Sequence, residues 1–195
     1  MMRSRKSFVL DFARDRHGVA ATEFALILPL LIAIFFGMLE ISDAMMAGRR
    51  VQTAVNSMAD LIAQERDITT AEIDDIMVGV NRMLSPTSGS TTNLRVTSVV
   101  VNPAVPGQLI VRWSRDNTGA TPYAANSVFT KIADTTIVNS GASLIVGEVT
   151  YNHVSGLTHM FIDAPRAMSQ TVTRWPRRSA EVVICGGAPL PACVD

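Results

Sequence analysis

The sequence predicts an α+β protein in which a long N-terminal transmembrane helix continues as an amphipathic helix and packs on a small antiparallel β-sheet domain. Three observations predict it. Phe24 to Leu39 reads FALILPLLIAIFFGML, without a single charge. Ile41, Met45, Gly48, Val51, Val55, Met58 and Ile62 then recur at spacings of three and four, the period of one helix face. From Asn93 onward the composition turns to β-branched runs punctuated by Pro and Gly. Helices first and strands afterwards is the order of a segregated α+β domain.

The apolar run is the first element to justify. With Val19 to Thr22 in front of it the segment approaches about twenty residues, which at about 1.5 Å per residue crosses a hydrocarbon core roughly 30 Å thick. Glu23 lies inside its N-terminal end. A carboxylate in lipid costs roughly 2.5–3.5 kcal/mol on insertion scales, less near the interface, and persists where it finds a partner. Pro29 and Gly37 are the points where this helix is expected to bend.

Charge orients the segment. Before Gly18 stand Arg3, Arg5, Lys6, Arg14 and Arg16 against Asp11 and Asp15, whereas the far flank opens with Glu40 and Asp43. A Lys/Arg-rich flank stays in the cytoplasm, so the N-terminus faces inward and everything after Leu39 outward; Arg49 and Arg50 weaken the contrast without reversing it. The whole chain has 195 residues, zero formal net charge and a pI near 6.8, which implies no general attraction to nucleic acid and leaves room for one anchor and one modest domain.

Beyond the anchor the amphipathic stripe extends the helix to about Gln64, with Asp43, Arg49, Gln52, Asn56 and Asp60 off the apolar face. Thr69-Thr70-Ala71-Glu72 is a capping-box pattern, and Ile73, Ile76, Met77, Val80 and Leu84 follow it at helical spacing, so a second helix is expected from Ala71 to Met83. It closes on the turn-rich SPTSGSTTN. Leu94–Val101 and Leu109–Ser114 read as a hairpin, Val128–Ala133 as a short helix or surface loop, and Leu144–Tyr151 as a third strand. Gln170–Ile184 is extended but interrupted by Pro176, which makes part of it an edge or a bend.

The chain carries no constellation that nominates an enzyme, a metal site or a cofactor. His153 and His159 with Asp163 lack helical metal-ligand spacing and read as a polar loop. Ser114 and Ser155 sit in no nucleophile elbow, and there is no glycine-rich phosphate loop. Asp74-Asp75 reads as a solvated face, and the methionines of the N-terminal helices as adaptable packing. The two cysteines, Cys185 and Cys193, lie in the tail CGGAPLPACVD. On the outward side of a membrane the compartment is oxidising and a short-loop disulfide is the economical reading; the alternative is two free thiols in a disordered tail.

What remains is Gly18, four residues, Glu23, Phe24 and the hydrophobic run. This arrangement resembles the class III signal of type IV pilins and pseudopilins, and ATEFALILPLLIAIFFGMLEISDAM is similar to the start of TadE-like proteins, minor pilin-like components of the tight adherence (Tad) pilus system. EVTY at Glu148–Tyr151 and RWPRR at Arg174–Arg178 are similar to the closing β region of that family. The resemblance implies a pilin-like fold and cleavage between Gly18 and Val19 by a prepilin peptidase. It also implies assembly through the N-terminal helix with other pilins and pseudopilins at an inner-membrane platform. Phe24 stands where major pilins of the system often carry tyrosine, and a major pilin would be far shorter.

On that footing the chain divides into a cytoplasmic leader peptide (1–18), a transmembrane helix in the lipid bilayer (19–40), periplasmic helices (41–84), an α+β periplasmic domain (85–184) and a disulfide-closed tail (185–195). The physics is coherent with the resemblance. Glycine lets a peptidase approach the backbone. Cleavage frees an ammonium at Val19, and Glu23 of a neighbouring subunit is its natural partner in lipid, setting the axial register between helices. Two other readings stand beside it. An ordinary signal peptide cut at Ser42-Asp43-Ala44 would release a periplasmic domain from Met45, and a signal-anchored binding module would keep an intact N-terminus.

Overall fold

The computed structural model describes residues 18–84, 90–132, 143–155, 166–186 and 193, so the leader, most of the SPTSGSTTN loop, His159, Asp163 and the middle of the tail lie outside the described residues. The chain divides between Ser42 and Asp43 into two compact units. The elements in chain order are α1 (Val19–Ala63), β1 (Asp67–Thr69), α2 (Thr70–Leu84), β2 (Thr91–Val101), β3 (Leu109–Asp116), β4 (Ser143–His153), β5 (Arg166–Arg174) and β6 (Val183–Cys185).

The first unit contributes the opening of α1, which continues through Pro29 without interruption. Its apolar side chains face outward: Leu26, Leu30 and Met38 are 81%, 61% and 65% exposed. The helix meets the length and composition needed to cross a membrane.

In the second unit the rest of α1 packs on a sheet. Ala47, Val51, Ala54, Val55, Met58 and Ile62 are buried, the face that the spacing predicts from Val51 onward. Ile41 and Met45, the first residues of the expected stripe, are instead exposed, because the core that α1 helps to build begins only at Ala47. Full burial of each large side chain, such as Met58, is worth about 1.5–3 kcal/mol. The alanines bring the helix close to the strands. A Cβ placed on Gly147 of β4 would lie 3.2 Å from Met58 Cε, 3.3 Å from Ala59 Cβ and 3.4 Å from Val55 Cγ2.

The main sheet is antiparallel, in the order β3-β2-β4-β5. One face, with Leu94, Val96, Ile145, Val149 and Tyr151, joins the core of α1 and α2; the other, with Val99, Val111, Leu144 and Val146, is covered by Phe129. Period-2 alternation would put Val111 and Trp113 on the same face. They lie in different cores because the register shifts between Ser98 and Val99, where Trp113 and Val111 are successive partners and Arg112 is the extra residue of a bulge. Segment 117–132 is a loop as far as Ile132, not a helix, with Val128 bridging to Ile110. Lys131 Nζ and the Tyr123 hydroxyl both hold the buried Glu148 carboxylate, at 3.3 and 2.8 Å.

The capping box forms as expected, and α2 runs one residue further at each end than the spacing predicts. The Thr69 N–H donates to Glu72 Oε2 at 2.7 Å and the Glu72 N–H to Thr69 Oγ1 at 3.2 Å, which holds the Glu72 carboxyl below its usual range. Asp74, however, is no mere solvated residue. The β3 bulge turns Arg115 towards α2, where its Nε and Nη2 each donate to an Asp74 carboxylate oxygen at 2.6 Å. Hydrogen bonding to Arg115 lowers the Asp74 pKa, so the pair contributes stability above about pH 4 and loses it as pH falls through that lowered value. Asp74→Asn is expected to cost about 1 kcal/mol near neutrality, the upper end for a partly exposed pair. Urea midpoints of the full chain in detergent micelles would read this; parent and variant should converge in acid, and a gap that stays constant would contradict the pairing.

β5 begins at Arg166, earlier than the extended stretch read from Gln170, and a bend after Arg174 carries the chain through Pro176 towards β6. A second sheet was not foreseen: β1 and β6 pair in parallel, Asp67 with Val183 through Thr69 with Cys185. The sulfurs of Cys185 and Cys193 lie at bonding distance, 1.97 Å, in keeping with the disulfide reading of the tail.

Candidate processing and assembly segment

The segment starts where α1 starts. Its first backbone bond runs from the Thr22 N–H to the Gly18 carbonyl, 3.1 Å, and the Thr22 hydroxyl donates to the Val19 carbonyl at 2.8 Å. The first is the ordinary backbone bond that opens an α-helix, and the second adds a side-chain donor to a carbonyl of the first turn. A Cβ built on Gly18 meets nothing within 4 Å, and Gly18 does not adopt the left-handed backbone that would require glycine. Packing among the described residues therefore places no demand for glycine at this position. Gly147 is the opposite case, a glycine held by its neighbours.

Val19 and Phe24 are 50% and 58% exposed, and Glu23 is exposed with no ion-pair partner among the described residues. Val19 and Glu23 are four residues apart, one turn along one face. The four predicted residues Gly18, Val19, Glu23 and Phe24 thus fall within seven consecutive residues and are all exposed. Cys185 and Cys193 belong to the other unit.

The second unit contains groups that sequence reasoning passed over. Arg174 Nη2 donates to Asn56 Oδ1 of α1 at 2.5 Å, Arg177 forms an ion pair with Asp60 one turn further on, and the Arg177 N–H donates to the Ala63 carbonyl at 2.8 Å. The RWPRR stretch is therefore a clamp on α1 that also satisfies a carbonyl at its C-terminus. Asn56 and Asp60 at i, i+4 on the polar side of α1 were the available signal.

His153 is likewise not part of a polar loop. It ends β4 with its side chain buried, and its Nε2 lies 3.0 Å from Asp43 Oδ2. Ser114 is buried as well; its hydroxyl donates to the Tyr123 carbonyl at 2.8 Å and accepts the Tyr123 N–H at 3.0 Å, a structural use.

An N-terminal helix long and apolar enough to cross a membrane, followed by a folded α+β domain, fits a membrane-anchored class of protein. Residues 18–60 match the family model of TadE-like proteins, which covers less than a quarter of the 195 residues but all of the segment from Gly18 to the clamp residue Asp60. No curated protein and no solved structure matches the chain.

Proposed function

We propose that this chain is a structural minor pilin or pseudopilin for assembly of a Tad/Flp-type adhesive pilus. Its partners are a prepilin peptidase that cuts after Gly18, other pilins and pseudopilins of the same system, and the inner-membrane assembly platform. Before assembly it sits in the bacterial inner membrane by one helix, with the N-terminus cytoplasmic and the second unit periplasmic. The observation that carries the proposal is the TadE-like match beginning at Gly18, a glycine that no packing among the described residues calls for. A requirement imposed from outside the fold, such as passage of the backbone through a peptidase, accounts for it.

Cleavage there frees an ammonium at Val19, and Glu23 on a neighbouring helix neutralises it. A paired carboxylate and ammonium in lipid cost far less than either alone, so the contact sets the axial register of packed subunits. An ordinary signal-peptide cut after Ala44 is less compatible with the domain, because it would remove Asp43, whose carboxylate lies 3.0 Å from the buried His153 ring.

Glu23→Ala tests the assembly role. The variant is expected to be processed at the same bond and to remain in the membrane, while its recovery in sheared pili, or the piliation that depends on it, falls at least about tenfold, the effect of losing roughly 1.4 kcal/mol of contact energy. Unaltered piliation would refute the role of Glu23.

A further inference from the structure

The two edges of the main sheet are treated differently. The outer edge of β3 is closed by the chain itself: the Val111 N–H donates to the Ser127 carbonyl at 2.9 Å, the Asn126 N–H to the Val111 carbonyl at 2.7 Å, and the Phe129 N–H to the Leu109 carbonyl at 2.8 Å. The outer edge of β5 has no partner strand among the described residues. β5 stays in continuous register with β4 from Arg166 to Arg174, with no bulge, Pro or Gly, and Ala167, Ser169, Gln170 and Thr171 are exposed. Proteins that keep an edge free usually blunt it with a bulge, a proline, inward charges or shortness. β5 has none of these along its middle, so it presents a regular row of backbone donors and acceptors.

Its charges state what would fit. The strand is uncharged from Ala167 to Thr173 and bounded by Arg166 and Arg174. Being eight residues apart, the two arginines project to the same face, about 26 Å from each other. Arg112, Arg115 and Arg177 each have a carboxylate, on Glu181, Asp74 and Asp60. Among the described residues Arg174 has only the Asn56 amide oxygen and the Thr173 carbonyl, and Arg166 faces no carboxylate. A second copy of β5 added antiparallel about Gln170 would set Arg166 against Arg174 at both ends, a like-charge pairing that destabilises a ladder.

We propose that the open edge of β5 is a strand-addition site for an extended, acidic segment of another protein. The segment's backbone completes the ladder, and carboxylates near its two ends face Arg166 and Arg174. This mode takes affinity from main-chain hydrogen bonds and specificity from side chains at alternate positions. It does not depend on processing after Gly18.

The test uses the full chain in detergent micelles and two nine-residue peptides of alternating threonine and valine, one with glutamate at both ends and one with lysine. The glutamate peptide is expected to bind about tenfold more tightly or better, the sum of two attractive against two repulsive cross-strand pairs, and to slow amide exchange across Arg166–Arg174. Arg166→Glu, at an exposed position, should leave the circular dichroism unchanged and remove or invert the preference. Equal binding of the two peptides, no binding of the glutamate peptide, protection elsewhere than β5, or an unchanged preference in Arg166→Glu would overturn the proposal.

Discussion

Gly18→Phe should leave the protein unprocessed, accumulating in the membrane with residues 1–18 still attached. The variant separates processing from folding unusually cleanly. A Cβ at Gly18 meets nothing within 4 Å among the described residues and the backbone there is not left-handed, so little change in the stability of the folded domain is expected. The whole effect would lie in the access of a peptidase to the Gly18–Val19 bond. Mass spectrometry of the membrane fraction would report it as near-complete loss of the shorter species. Normal processing of Gly18→Phe would remove the assigned site.

Gly147→Val should have the largest effect on the folded domain, for the opposite reason. Met58 Cε, Ala59 Cβ and Val55 Cγ2 already lie 3.2–3.4 Å from where a Cβ would stand, and two further methyl groups would have to enter the same space. The Met58 terminus can swing aside, but Ala59 Cβ is fixed to the helix, so α1 must move away from β4. Overpacking of this kind costs typically 1–3 kcal/mol, and about 3 is expected at a contact that fixes the spacing of helix and sheet. The urea midpoint of the full chain in detergent micelles should fall accordingly, and an unchanged midpoint would show that this contact does not set the spacing. Gly147→Ala asks less of the same neighbours and should fall between parent and Gly147→Val.

The parts legible in the sequence are those decided locally. Apolar periodicity locates α1 and, from Val51 onward, its buried face; Thr69 and Glu72 mark the start of α2, and β-branched runs carry the hairpin and β4. What escaped was decided between distant segments. The pairing of Asp67–Thr69 with Val183–Cys185 joins two three-residue strands that carry no local signal. The β3 bulge reverses which face Trp113 serves, and with it the destination of Arg115, so Asp74 could not be recognised as paired. His153 looked like loop chemistry because its partner, Asp43, stands 110 positions earlier on α1. The proposed site is a reading of the sequence, since Gly18, Val19, Glu23 and Phe24 fall within seven consecutive residues; the structure adds that no packing among the described residues explains Gly18.

Processing after Gly18 is the central claim, and the mature N-terminus tests it most directly. Sequencing the N-terminus of the membrane-extracted wild-type protein should give Val19 as the first residue, with Glu23 fifth. An N-terminus near Met45 on a protein free in the periplasm, or one lying upstream of Gly18, would contradict it.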